Sequence, residues 1–197
     1  MARTQSEKYP EIRDNILKQA ARLFAEKGYA GTTIIDLAEA CESSRGALYH
    51  YFESKEDILL HILEDHISEL AAKLEEAVNA HQDPLEQCRA VIDVMVLVNS
   101  DSQNEQVILL NHLGELNAEQ QRSIVAKQRK LTSYFSDILI RIDSHNRLTP
   151  RNKMAYTMML FGIINYTFTW YDPKGPVSPA DYSKMTADLF IRGFTGA

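Results

Sequence analysis

The chain is poor in cysteine, proline and glycine, and each scarcity removes a class of protein. Its two cysteines, Cys41 and Cys88, fit neither a disulfide framework nor a zinc spacing, which points to a reducing cytoplasm. Six prolines and eight glycines leave few turns. No Asn-Gly or Asp-Gly pair separates alternating apolar runs, so a hairpin-rich fold is disfavoured. The segment from Met1 to Asp14 is mostly polar and lacks the apolar core of a secretion signal. Long uncharged runs are also scarce. Met154 to Tyr171 has 18 residues without a charge, the lower limit for a membrane span. It holds Asn165, several threonines and three tyrosines, which lipid would leave unsatisfied. It reads as a helix buried by protein on most sides. No HExxH, nucleophile elbow or Gly-rich phosphate loop occurs, so no catalytic residue, metal or cofactor is expected. His112 and Glu115 lie three apart and read as a surface pair, not a metal site.

What is present is helical periodicity, in a chain of 197 residues with 45% hydrophobic and 24% charged residues. That composition is globular, and the length suits a small domain joined to a larger one. Tyr9-Pro10 opens a helix that Gly28 stops. Thr33 with Asp36 makes a capping box for a short second helix. Ser44 caps a third, Arg45 to Phe52. Ser54, with Asp57 three residues on, caps a long fourth that turns Ile58, Leu59, Ile62, Leu63, Ile67, Leu70 and Leu74 inward. Five more helices are expected over Leu85–Val98, Glu105–Leu116, Glu119–Asp143, Lys153–Tyr171 and Pro179–Phe194. The fold class is all-α.

The net charge of −6 hides an asymmetry. Residues 1–55 hold eight Lys/Arg and eight Asp/Glu, whereas residues 56–197 hold 13 against 19. Phosphate neutralisation requires cations, so only the N-terminal quarter suits nucleic acid. Two short helices joined by a tight turn and braced by their neighbours describe a helix-turn-helix. The second helix of that motif enters the major groove and needs small residues plus a few polar tips. In "SSRGALYHYF", Gly46 and Ala47 permit close approach behind the capping Ser44. Arg45 can reach a guanine edge or a phosphate, and Tyr49 and His50 offer donors. Leu48 and Phe52 anchor the helix on Phe24 and Leu37. Lys55 sits in the first turn of the long helix, whose N-terminal amides attract phosphate.

The stretch "ILKQAARLFAEKGYAGTTIIDLAEACESSRGALYHYFESKEDIL" resembles the N-terminal domain of TetR-family transcriptional regulators. The resemblance rests on Leu23-Phe24, Lys27-Gly28-Tyr29, Gly31-Thr32-Thr33, Leu37-Ala38, Gly46-Ala47-Leu48-Tyr49 and Tyr51-Phe52-Glu53-Ser54-Lys55. It implies that Thr33, Arg45, Tyr49, His50 and Lys55 face DNA, beside Ser44, Gly46 and Ala47. One departure stands out. The family usually has Gly-Val where this chain has Glu42-Ser43, which would be strained if φ there is positive.

The expected division is a DNA-binding domain over residues 1–55 and a ligand-binding and dimerisation domain over residues 56–197. A two-fold dimer reads palindromic half-sites roughly 34–36 Å apart. The last two helices, apolar on more than one face, are the dimer candidates. Val91, Met95, Val98, Leu109, Leu113, Phe135, Phe161, Asn165 and Trp170 are the candidate ligand-binding walls. "ELNAEQQRSIVAKQRKLTSYFSDIL" and "TWYDPKGPVSPADYSKMTADLFIRGF" are similar to C-terminal domains of TetR-type regulators of fatty-acid and sterol catabolism. That similarity implies an acyl-CoA effector, with Arg122, Lys127, Arg129 and Lys130 as candidates for its charged end. The expected function is a homodimeric, ligand-responsive repressor that binds double-stranded operator DNA in the cytoplasm. The alternative is a small-molecule binding protein or adaptor on the same fold that does not bind an operator.

Overall fold

A computed structural model describes residues 9–196. These residues form nine α-helices: α1 (Tyr9–Lys27), α2 (Ile34–Ala40), α3 (Arg45–Tyr51), α4 (Lys55–Asn79), α5 (Pro84–Asp101), α6 (Gln103–Asn111), α7 (Ala118–Ile142), α8 (Lys153–Asn165) and α9 (Pro179–Thr195). Two 3-10 turns, Leu113–Glu115 and Tyr166–Thr169, follow α6 and α8. No strand occurs among the described residues. No helix among them is long and apolar enough to cross a membrane.

The helix starts follow from their caps. The Thr33 side chain accepts from the Asp36 backbone N–H while the Asp36 carboxylate accepts from that of Thr33, the reciprocal box expected. Ser44, Ser54, Asp83, Asn117 and Ser178 cap α3, α4, α5, α7 and α9. Two helices are shorter than periodicity suggested. α6 closes at Asn111, and the chain turns over Gly114, a poor helix former. α8 ends at Asn165, where the Thr167 hydroxyl donates to the Ile164 carbonyl at 2.8 Å and that of Thr169 to Tyr166 at 2.8 Å. Such side-chain bonds give the carbonyls an alternative to the helix ladder.

One continuous core runs along α4 from the N-terminal helices into the larger part. Phe24, Leu37, Leu48, Phe52, Ile58 and Leu59 close the small N-terminal cluster. α5 is the axis of the larger one: it packs against α4, α7, α8 and α9, with Val91, Ile92, Met95 and Val96 almost fully buried. Each such side chain contributes roughly 1.5–3 kcal/mol of transfer free energy. α8 departs from expectation here. It is not enclosed on most sides, because Met154, Met158 and Met159 stand exposed, as does Tyr166 in the 3-10 turn that follows. Met185 and Leu189 of α9 are exposed as well.

The turn between α2 and α3 explains how Glu42 is tolerated. The Ser43 N–H bonds the Ala38 carbonyl at 2.9 Å and the Glu42 N–H bonds that of Glu39 at 3.1 Å, the paired bonds of a Schellman motif. That motif needs a left-handed residue after the cap, and Glu42 has φ 50°. Its side chain is therefore held where a Cβ is unfavourable. Glu42→Gly should raise stability by roughly 0.5–1 kcal/mol, read as a higher urea midpoint at unchanged m-value. Gly31 has the opposite constraint, since a Cβ there would lie 2.4 Å from the Lys27 carbonyl oxygen. Gly31→Ala should lower the same midpoint.

Candidate functional site

α3 presents a polar outer face above a sealed inner one. Leu48 and Phe52 are buried, whereas Ser44, Arg45, Gly46, Tyr49 and His50 are exposed and Ala47 is partly so. The Arg45 guanidinium and the Tyr49 hydroxyl make no hydrogen bond within the described residues. His50 packs its ring edge-on to Tyr51, with centroids 5.5 Å apart. A Cβ on Gly46 would meet nothing closer than Ser44 Oγ at 4.0 Å. No packing contact among the described residues requires glycine at Gly46. Ser44 Oγ is committed as a cap, accepting the Ala47 N–H at 3.1 Å.

Three expectations about this face change. Thr33 spends its hydroxyl on the Asp36 carboxylate, so it acts first as a cap. That hydroxyl, then Lys27 at 2.9 Å, hold the Asp36 carboxyl well below the usual carboxylate range. Lys55 is not a free phosphate ligand. Its ammonium donates to the Tyr29 carbonyl at 2.8 Å and the Thr32 carbonyl at 2.9 Å, and lies 4.1 Å from the Tyr29 ring centroid. It clamps the turn after α1, with one donor left over. The start of α4 is also a poorer phosphate site than a bare helix end, because Glu56 and Asp57 occupy its first turn.

In the larger part, α4, α5, α6, α7 and α8 line a pocket of about 260 Å³ that is partly open to solvent, with Leu110 and Met158 of its wall exposed. Met95, Leu109, Phe135, Phe161 and Asn165 line it as expected. Val91 and Val98 do not; they are sealed in the core, each 2% exposed. Leu113 sits in the 3-10 turn away from the cavity, and Trp170 is turned outward by the early end of α8, 62% exposed and packed edge-on to Tyr182. Periodicity marked Ile67, Leu70 and Leu74 only as inward residues, yet together with Leu131 they form much of the wall. Gln106, Gln128 and Thr132 were missed; amides and a hydroxyl between apolar neighbours were the available signal. The Asn99 amide donates to Asn165 Oδ1 at 3.1 Å behind this wall. Burial pushes the Cys88 thiol up to about 12, which makes it inert. No cluster of three or more potential metal ligands exists among the described residues.

Residues 16–62 match the family model described as bacterial regulatory proteins, tetR family, and residues 81–194 match the tetracyclin repressor-like C-terminal domain. The chain belongs to the TetR family. It is a DNA-binding transcriptional regulator. A TetR-family regulator of known structure from Bordetella parapertussis is 34% identical, with a TM-score of 0.90 over 96% of this chain and 98% of that one. The transcriptional repressor KstR2 of Mycolicibacterium smegmatis is 23% identical over 93% of this chain and 90% of its own. AibR, solved with isovaleryl coenzyme A and operator DNA, has a TM-score of 0.78 at 22% identity, covering 93% of this chain and 98% of its own.

In this TetR-family regulator, His66 of α4 is buried at the junction of α1, α4 and α6. It is 3% exposed, and neither ring nitrogen has a hydrogen-bond partner among the described residues. Beside it lie Leu17 and Lys18 of α1 and Glu105 of α6. Burial pushes its pKa down, with Gln106, Glu105 and Glu69 pulling the other way. Below about pH 6.5 the unfolded chain therefore binds a proton that the native state resists, and stability falls as pH drops. His66→Gln should flatten the dependence of the melting temperature on pH below that value. Arg45→Ala should weaken operator binding and lower the salt slope by about one with the melting temperature unchanged. Lys55→Ala should instead lower stability by about 1–3 kcal/mol, since it removes two charge-assisted bonds.

Proposed function

We propose that the regulator is a homodimeric repressor that reads a palindromic operator and releases it on binding an acyl thioester. In this reading residues 1–55 serve DNA and residues 56–197 serve ligand and dimer, in the cytoplasm. Arg45, Tyr49 and His50 are the contacting tips of α3, Gly46 and Ala47 allow close approach, and Ser44, Thr33 and Lys55 hold the frame. The observation that carries the proposal is the reach of α4. One end of this helix is clamped by Lys55 to the turn before α2, while Ile67, Leu70 and Leu74 further along wall the cavity. A ligand that shifts α4 must move α3. It releases DNA only if it prefers the DNA-incompetent dimer, since equal affinity for both states shifts nothing.

The cavity's chemistry supports an acyl group. Its wall is apolar except for uncharged Gln106, Gln128, Thr132 and Asn165, so it offers no countercharge to a carboxylate. An apolar cavity of about 150 Å³ takes up benzene, so about 260 Å³ has room for a compact branched or medium-length chain. AibR binds isovaleryl coenzyme A, and another similar structure is described as a ketosteroid regulator. Each CH₂ buried gains roughly 0.8 kcal/mol until the cavity is full. In an acyl-CoA series, the concentration that dissociates the operator complex should fall with chain length and then rise. Small aromatic compounds acting where no acyl-CoA does would defeat the proposal.

The exposed apolar residues of α8 and α9 support the dimer. Met154, Met158, Met159, Met185 and Leu189 are each at least half exposed in one protomer, and large exposed apolar side chains of this kind mark interfaces. Leu189→Arg would bury an unpaired charge there, at a cost of several kcal/mol. The variant should sediment as a monomer or aggregate and lose operator binding.

A further inference from the structure

A second cavity, of about 350 Å³, lies between α4 and α7 and shares Ile67, Leu74 and Leu131 with the first. The two are neighbours across one seam, but their chemistry differs. No charged side chain lines the first. Lys127, Lys130 and Tyr134 of α7 line the second, facing Ser68 and Glu75 of α4. Lys127 and Lys130 are three apart and so share one side of the helix. Of the four cations that the sequence offered for a charged end, Arg122 and Arg129 line neither cavity. The Lys127 ammonium is 3.1 Å from Glu64 Oε1, an ion pair that ties α7 to α4. Lys130 has no carboxylate partner within the described residues.

We infer that this second cavity is the site for the phosphorylated head group of a two-part effector, and that Glu64 is the group the head group displaces. The inference rests on the acyl-thioester reading above. The acyl chain fills the first cavity, where a charge would have no partner. The phosphates lie across the seam, where Lys127 and Lys130 supply charge-assisted bonds. A phosphate competes with Glu64 for Lys127, and Glu75 on the same wall opposes it. Once Lys127 turns to the phosphate, the Glu64 carboxylate faces a like charge and has lost its partner on α7. The repulsion acts on α4, the helix whose first residue clamps the DNA-binding part.

The test uses the full-length protein and three probes with one acyl chain: the coenzyme A thioester, the pantetheine thioester, which lacks phosphate, and the free acid. Binding is measured by calorimetry on the wild type, on Lys127→Gln/Lys130→Gln and on Glu64→Gln, with melting temperature as the folding control. The wild type should bind the coenzyme A ester about ten-fold tighter than the pantetheine ester, and added salt should narrow the gap. The double variant should bind both esters equally, at the affinity of the pantetheine ester. Glu64→Gln should tighten the coenzyme A ester a few-fold and leave the pantetheine ester unchanged. A folded double variant that keeps the wild-type preference overturns the inference while the acyl reading stands. So does a free acid that binds as tightly as the coenzyme A ester and loses affinity in the double variant, because the lysines then serve a carboxylate. Failure of all three probes on the wild type overturns the acyl reading itself.

Discussion

The Lys55 ammonium sits where the N-terminal domain is pulled together. It satisfies two carbonyls of the Tyr29–Thr32 turn and covers the Tyr29 ring, and so fixes α1 and α2 to the first residue of α4. Thr32, fully buried, completes the clamp by donating its hydroxyl to the Gly28 and Leu23 carbonyls. α4 then runs 25 residues, roughly 37 Å at the rise of an α-helix. In the proposed reading, an event at Leu70 would reach α3 through the backbone of this helix. Arg13 to Asp65 at 3.1 Å and the Asn117 N–H to Glu56 at 3.1 Å add links from α4 to α1 and to the start of α7.

Polar groups buried around this helix set its working range. His66 lies almost fully buried where α4 meets α6, its ring nitrogens unpaired among the described residues, and unpaired buried polar atoms cost more than apolar ones of the same shape. A core built only for stability would place leucine there. The cavity and the exposed faces of α8 and α9 are further departures from maximal burial. Each lies where a ligand or a second protomer would supply the missing contacts, as expected when local rules yield to function.

Several functional features were legible in residue order. The capping boxes and the apolar stripes of α1 to α4 are local, and local chemistry decides them. The exposure of Arg45, Tyr49 and His50 follows from helical phase once Leu48 and Phe52 are buried. Even the strain at Glu42 was readable, because a Schellman turn requires a left-handed residue wherever it occurs. The ligand walls were less legible. Val91 and Val98 share a stripe with Met95, yet only Met95 reaches the cavity.

By itself the sequence determined the helix starts, the helix-turn-helix and the family, because each depends on residues within a few positions of one another. It also determined that the charge near DNA would be sparse. Only the tertiary structure decided that Lys55 is a clamp, that Thr33 is a cap, and that Lys127 faces Glu64 across 3.1 Å. A lysine's partner is set by which elements pack beside it, and 26 positions separate Lys55 from Tyr29. Whether an apolar residue lines a cavity or fills a core likewise depends on how several helices cross, which the period of any one helix does not encode.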